Sequence, residues 1–219
     1  MLALGIPPVV ANLTSAVALC PGYLGGALAQ RRDLAGQGRR LLIVAPAAAV
    51  GGVCGAMLLL VSPERLFATM VPGLILLACG LLAVQPAVRR LIGSHSPGDT
   101  LHTPFWTLLP VGLASVYGGY FGAGLGVMML AVLALSVSDT LTRLNALKQL
   151  LSLIVNVAAA LVFIRSGQVV WSLAAAVGVG SLAGGAIGGR LAGRISPDRL
   201  RGLVIGLGVA VAALLWLKS

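Results

Sequence analysis

The chain has 219 residues, 58% of them hydrophobic and only 9% charged, with a formal net charge of +10 and a mean hydropathy of +1.04. Soluble globular domains carry about 25% charged residues, so this composition excludes one and points to an all-α integral membrane protein. The basic residues sit between apolar runs, where they set topology and meet the lipid bilayer. Nucleic-acid binding is therefore not expected, and nothing in the sequence calls for a cofactor.

The first ten residues have no basic leader, so no cleavable signal is expected. Residues 9–29 read as a first span, opened by Pro7-Pro8, and Pro21-Gly22 predicts a kink or break near its middle. Asn12, Thr14 and Ser15 lie in its first turns. A polar loop with Arg31, Arg32, Asp33, Arg39 and Arg40 leads to the second span, 41–61. Gly51 and Gly55 there form a small-xxx-small pair that lets a neighbouring helix approach closely. Pro63 and Glu64 start the third span, 66–84. Residues 86–104 form a polar linker between two halves, 1–85 and 105–219. His95 and His102 in that linker read as solvated side chains rather than metal ligands. Cys20, Cys54 and Cys79 lie in apolar runs without CxxC spacing, so neither a disulfide nor a metal site is expected.

Residues 105–136 are apolar, free of charge and rich in glycine around Tyr117-Gly118-Gly119-Tyr120-Phe121-Gly122-Ala123-Gly124-Leu125-Gly126. One straight helix would run about 48 Å, against a hydrocarbon core of about 30 Å. Glycine costs about 1 kcal/mol in a helix interior, so two short arms, 105–117 and 126–136, joined by a non-helical tip are expected. Irregular backbone at membrane depth survives only inside protein or beside a water-filled cavity, which makes the tip the place to seek a solute. Three further spans follow at 141–164, 169–187 and 200–217. Gly180, Gly184 and Gly188 give the second of these a close-packing face.

The halves overlay. Asn12 falls on Asn145 and Gly51, Gly52 and Gly55 on Gly184, Gly185 and Gly188, while Ser62-Pro63-Glu64-Arg65-Leu66 matches Ser196-Pro197-Asp198-Arg199-Leu200. The expected fold is an internally duplicated helical bundle of about six spanning helices plus one glycine-rich broken or re-entrant helix, seven hydrophobic segments in all. The first half lacks a counterpart of 105–136. If that element returns to the side it entered from, 12 of the 15 basic residues lie on the face of the Arg31–Arg40 loop, as the preference of basic residues for the cytoplasm requires. The halves then run in opposite directions, an arrangement used by transporters.

The tip, with Gly119, Gly122, Gly124 and Gly126, is read as offering backbone N–H groups and a helix N-terminus to an anion. Lys148 lies about two turns inside its span, where a cation is costly and usually functional. Asn145 is three residues earlier on the same face. Asn12, Thr14 and Ser15 add neutral hydrogen-bonding groups from the first half, with interhelical bonding as their competing use. Asn156 and Gln149 rank behind these. No deep acid, no nucleophile–base pair and no phosphate-cradling loop is visible, so no catalytic residue is named.

Gly118-Gly119-Tyr120-Phe121-Gly122-Ala123-Gly124-Leu125-Gly126, Leu144-Asn145-Ala146-Leu147-Lys148, Gly184-Gly185-Ala186-Ile187-Gly188-Gly189-Arg190-Leu191-Ala192 and Ala11-Asn12-Leu13-Thr14-Ser15 resemble the sulfite exporter TauE/SafE family of membrane permeases. The resemblance covers essentially the whole chain. It implies a cell-membrane carrier, an exporter of a small sulfur-containing oxyanion or organosulfonate working by alternating access. A non-transporting or truncated accessory subunit is the alternative, and a homo-oligomer is left open.

Overall fold

The computed structural model describes residues 6–93, 105–137, 139–192 and 197–218. Among the described residues there are eight α-helices and no strand: α1 Pro8–Ala29, α2 Gly38–Val61, α3 Glu64–Gly93, α4 Leu108–Tyr120, α5 Leu125–Ser136, α6 Leu141–Arg165, α7 Trp171–Ala192 and α8 Pro197–Lys218. Short 3-10 turns at Arg31–Leu34 and Phe105–Thr107 precede α2 and α4. Four helices are long and apolar enough to cross a membrane, namely α1, α2, α6 and the stretch Glu64–Ala87 of α3. The apolar segments Leu125–Ser136, Trp171–Leu182 and Gly202–Trp216 are shorter.

Local chemistry explains most boundaries. Pro8 occupies the first turn of α1, where its missing N–H costs nothing. The helix runs through Pro21 without the break that Pro21-Gly22 suggests. Thr140 caps α6, its side chain accepting from the Arg143 N–H. Gly167, at φ +70°, turns the chain after α6. α3 continues past residue 84 to Gly93, so the first part of the polar segment between the halves is helical. His95 and His102 lie outside the described residues.

The helices are apolar almost all round, and their outward faces keep large side chains exposed, Leu42 at 78%, Leu135 at 75% and Trp216 at 66%. Such a surface suits lipid rather than water. α1 lies antiparallel on α6: Gln30 meets Asn145, Cys20 meets Asn156, and Thr14 meets Val170 just beyond α6. α2 runs the same way as α6, with Arg40 beside Asp139 and Gly52 against Val155.

The closest seam is α2 against α4. A Cβ on Gly51 would stand 2.6 Å from the Gly112 oxygen, while one on Gly52 would stand 2.8 Å from the Val155 oxygen on the α6 side. A Cβ on Gly55 would collide with the Val116 carbonyl, and one on Gly119 with the Gly52 carbonyl. These are backbone-to-backbone contacts, and only glycine permits them. α4 thus climbs beside α2 until Tyr120 reaches Gly55, about 26 Å from the start of α2 at 1.5 Å per residue. α5 then returns. Val111 near the start of α4, Leu133 and Val137 at the end of α5, and Val44 of α2 share one buried cluster. Asp139, just past α5, pairs with Arg40. The glycine-rich element is therefore a hairpin whose two ends lie together at the start of α2. A second cluster, with Leu13, Leu59, Phe67 and Phe163, receives Tyr120 and Phe121 at its tip.

Gly55→Val is expected to lower stability by about 3 kcal/mol or more, since overpacking against backbone has no side chain to displace. Gly80→Ala, with nothing within 4 Å of the added carbon, is expected to be neutral or stabilising by up to about 1 kcal/mol. Thermal unfolding of the two variants in detergent checks the contrast.

Candidate functional site

The non-helical part of the hairpin is four residues, 121–124, because Gly118, Gly119 and Tyr120 finish α4 and Gly126 already belongs to α5. Gly122 at φ +81° and Gly124 at φ +76° occupy left-handed conformations that favour glycine. The Tyr117 hydroxyl donates to the Ala123 carbonyl at 2.7 Å and clamps the turn. The Leu125 N–H donates to Gly122 O, and the Val127 and Met128 N–H groups to Gly124 O. Those three amides serve the turn itself, so side chains carry more of the site's polarity than the sequence suggests.

A cavity of about 290 Å³ lies beside the tip. Asn12, Ser15, Leu19 and Tyr23 of α1, Gly118, Gly119 and residues 121–124 of the hairpin, and Asn156 of α6 line it. Asn12 Nδ2 donates to the Tyr120 carbonyl at 2.9 Å, tying α1 to the end of α4. Ser15 Oγ donates to Ala11 O at 2.8 Å. Asn156 is buried and accepts the Cys20 thiol at 3.6 Å on Oδ1. Among the described residues, none that lines the cavity is acidic or basic.

The structure therefore brings together Asn12, Ser15, Gly119, Gly122 and Gly124. Gly119 serves a second purpose there, the seat of α4 on α2. Gly126, Asn145 and Lys148 form a separate group nearer the start of α6. Lys148 Nζ donates to Asn145 Oδ1 at 2.9 Å, and Asn145 Nδ2 donates to Gln30 Oε1 at 2.7 Å. A Cβ on Gly126 would stand 3.8 Å from Lys148 Nζ, so the ammonium lies beside the first turn of α5. Lys148 and Asn156 are eight residues apart on one helix, about 12 Å. Thr14 joins neither group: it is fully buried, and its hydroxyl accepts the Val170 N–H at 3.3 Å where the chain enters α7.

Sequence reasoning missed Tyr23 and ranked Asn156 low. The available signal was spacing, since Asn12, Ser15, Leu19 and Tyr23 recur every three or four residues. It also missed the latch at the mouth of the hairpin. Arg40 Nη1 approaches Asp139 Oδ2 at 2.8 Å, Arg143 Nε approaches Oδ1 at 3.0 Å, and the Thr140 N–H donates to Oδ1 at 2.8 Å. Burial pushes the Asp139 carboxyl up, but hydrogen bonds from Arg40, Thr140 and Arg143 outweigh it and hold the group below its ordinary range. Among the described residues no cluster of His, Cys, Asp and Glu is able to hold a metal, and Cys20, Cys54 and Cys79 are free thiols.

Long apolar helices, an apolar outer surface and a cavity with a few neutral polar groups beside a broken helix fit a multi-pass membrane protein of the transporter class. The chain belongs to the sulfite exporter TauE/SafE family, whose profile matches residues 1–215. It is 26% identical over 213 residues to a probable membrane transporter protein, ORF9, of Sinorhizobium sp, covering 97% of this chain and 80% of that one. It is 24% identical over 205 residues to a probable membrane transporter protein of Haemophilus influenzae, covering 94% and 79%. No solved structure matches the chain.

Asp139→Asn leaves two guanidinium groups around a neutral amide and is expected to cost about 3–5 kcal/mol, as for a buried pair that loses one partner. In the unaltered protein the latch contributes fully above the ordinary carboxylate pKa of about 3.9. That contribution is lost as pH falls through the lowered folded-state value. Thermal unfolding of both proteins between neutral and acid pH checks this: their difference is expected to shrink only at the acid end.

Proposed function

We propose that the protein exports a small anion, a sulfite-like oxyanion or an organosulfonate, by alternating access around the hairpin tip. The observation that carries this reading is the tip cavity, where five of the residues chosen from sequence meet. Neutral polar groups from α1 and α6 line it together with the turn at 121–124, which leads into α5, and the N-terminal end of a helix favours negative charge. No carboxylate lines the cavity among the described residues, so none of these repels an anion there. Lys148 and Asn145 act as a second station, about two helical turns along α6, that draws the anion toward the tip.

In this reading the chain crosses the membrane six times and the hairpin of α4 and α5 re-enters, with the Arg31–Arg40 loop cytoplasmic and both termini outside. Arms of 13 and 12 residues are each too short for a core of about 30 Å. The two halves are inverted repeats, which the antiparallel packing of α1 on α6 supports, since these are the spans that carry Asn12 and Asn145.

Sulfite flux into proteoliposomes tests the proposal. Asn156→Leu is expected to raise the KM about tenfold to a hundredfold, the loss of one hydrogen bond of about 1.5–3 kcal/mol to a charged group. Lys148→Ala is expected to lower flux strongly at low ionic strength and less in high salt, as a steering charge does. Unchanged kinetics in both variants would remove the tip and Lys148 from the pathway.

A further inference from the structure

A second cavity, of about 360 Å³, abuts the first. The residues that α1 gives to the two are ordered along the helix. Pro8 and Ala11 line only the second cavity, Ala16, Leu19 and Tyr23 line only the first, and Asn12 and Ser15 line both. The cavities thus extend in opposite directions along α1 from one shared pair of polar side chains. Among the described residues outside α1 only Phe121 lines both. Its ring leans on Phe67, with centroids 6.4 Å apart, and on Tyr117, at 6.3 Å. The next residue, Gly122, is at φ +81°, so the ring is carried on the part of the chain least tied to regular structure.

We infer that Phe121 is the partition between two access routes to a common station at Asn12 and Ser15, resting on the carrier reading of the tip. An aromatic ring in an apolar seat blocks a hydrated anion by sterics and by refusing its hydration shell. The Asn12 bond to the Tyr120 carbonyl, one residue before the ring, couples the station to the partition. A solute that competes for the Asn12 amide loosens that tie at the point where the barrier must move.

The test needs no transported solute. Ser15→Cys is placed in a chain whose own thiols are removed (Cys20→Ser, Cys54→Ser, Cys79→Ala). It is labelled in right-side-out and inverted membrane vesicles with a membrane-impermeant anionic methanethiosulfonate. With Phe121 in place, labelling is expected from one face only. Phe121→Ala is expected to admit the reagent from the other face as well, about tenfold faster or more, as when a barrier of about 1.4 kcal/mol is removed. Phe121→Leu, which keeps an apolar plug and the fold, is expected to lie between. Labelling from both faces with Phe121 intact, an unchanged one-face pattern in the Ala and Leu variants, or no labelling from either face overturns the inference. If the pattern holds while the unaltered chain moves no sulfite in proteoliposomes, the carrier reading fails and the partition stands.

Discussion

The seat of α4 on α2 is the contact on which the rest depends. Gly51 and Gly55 of α2 and Gly119 of α4 bring two backbones to a distance at which no Cβ fits, and Gly52 does the same for α2 against Val155 of α6. In a hydrocarbon solvent there is no hydrophobic drive between helices, so dense van der Waals contact must hold them together. This seam does so along the whole length of α4. It also positions the turn at 121–124, where Gly124 packs against Ala78 and Leu81 of α3, and such irregular backbone needs protein around it in a membrane. Without so close an approach, the tip has no shelter at that depth and the cavity beside it has no wall.

The second constraint is electrostatic and lies at the other end of the hairpin. Arg40 and Arg143 converge on Asp139, which is nearly inaccessible. Charges this buried are tolerated only when paired and hydrogen-bonded. The latch fixes the return of α5 against the start of α2, so the hairpin is held by glycine packing along its arm and by an ion cluster at its mouth. Between tip and mouth, Asn145, Lys148, Ser152 and Asn156 recur along one face of α6. Ser152 is buried, and its hydroxyl has no hydrogen-bond partner among the described residues. A polar stripe in the interior of an apolar bundle has a stability cost, which is the usual mark of a functional path.

Much of this was legible beforehand, for physical reasons. Long apolar runs, the proline starts and the glycine turns fix the helices locally, and the two-armed reading of 105–136 follows from length and glycine content alone. What sequence did not reveal is non-local. Thr14 looks like a site residue by composition, yet its hydroxyl satisfies the Val170 N–H. Gly126 reads as part of the tip, and the structure sets it beside Lys148 instead, while the Lys148–Asn145 pair read from the sequence forms and reaches Gln30 as well. Tyr23 and Asn156 gain their place only because α1 and α6 pack antiparallel. Asp139 read as a boundary residue because its partner Arg40 is 99 positions away. At Pro21-Gly22 the sequence predicts a kink or a break, and α1 continues through it unbroken.

The central claim is that the glycine-rich element enters the membrane and turns back. Single cysteines in place of Phe105 and Thr140, both exposed and at the two ends of the hairpin, test it in a chain freed of its own thiols. An impermeant maleimide added to intact cells and to inverted vesicles reports the face on which each lies. The account predicts that both react from the cytoplasmic face alone. Reaction of Phe105→Cys from one face and Thr140→Cys from the other would contradict it.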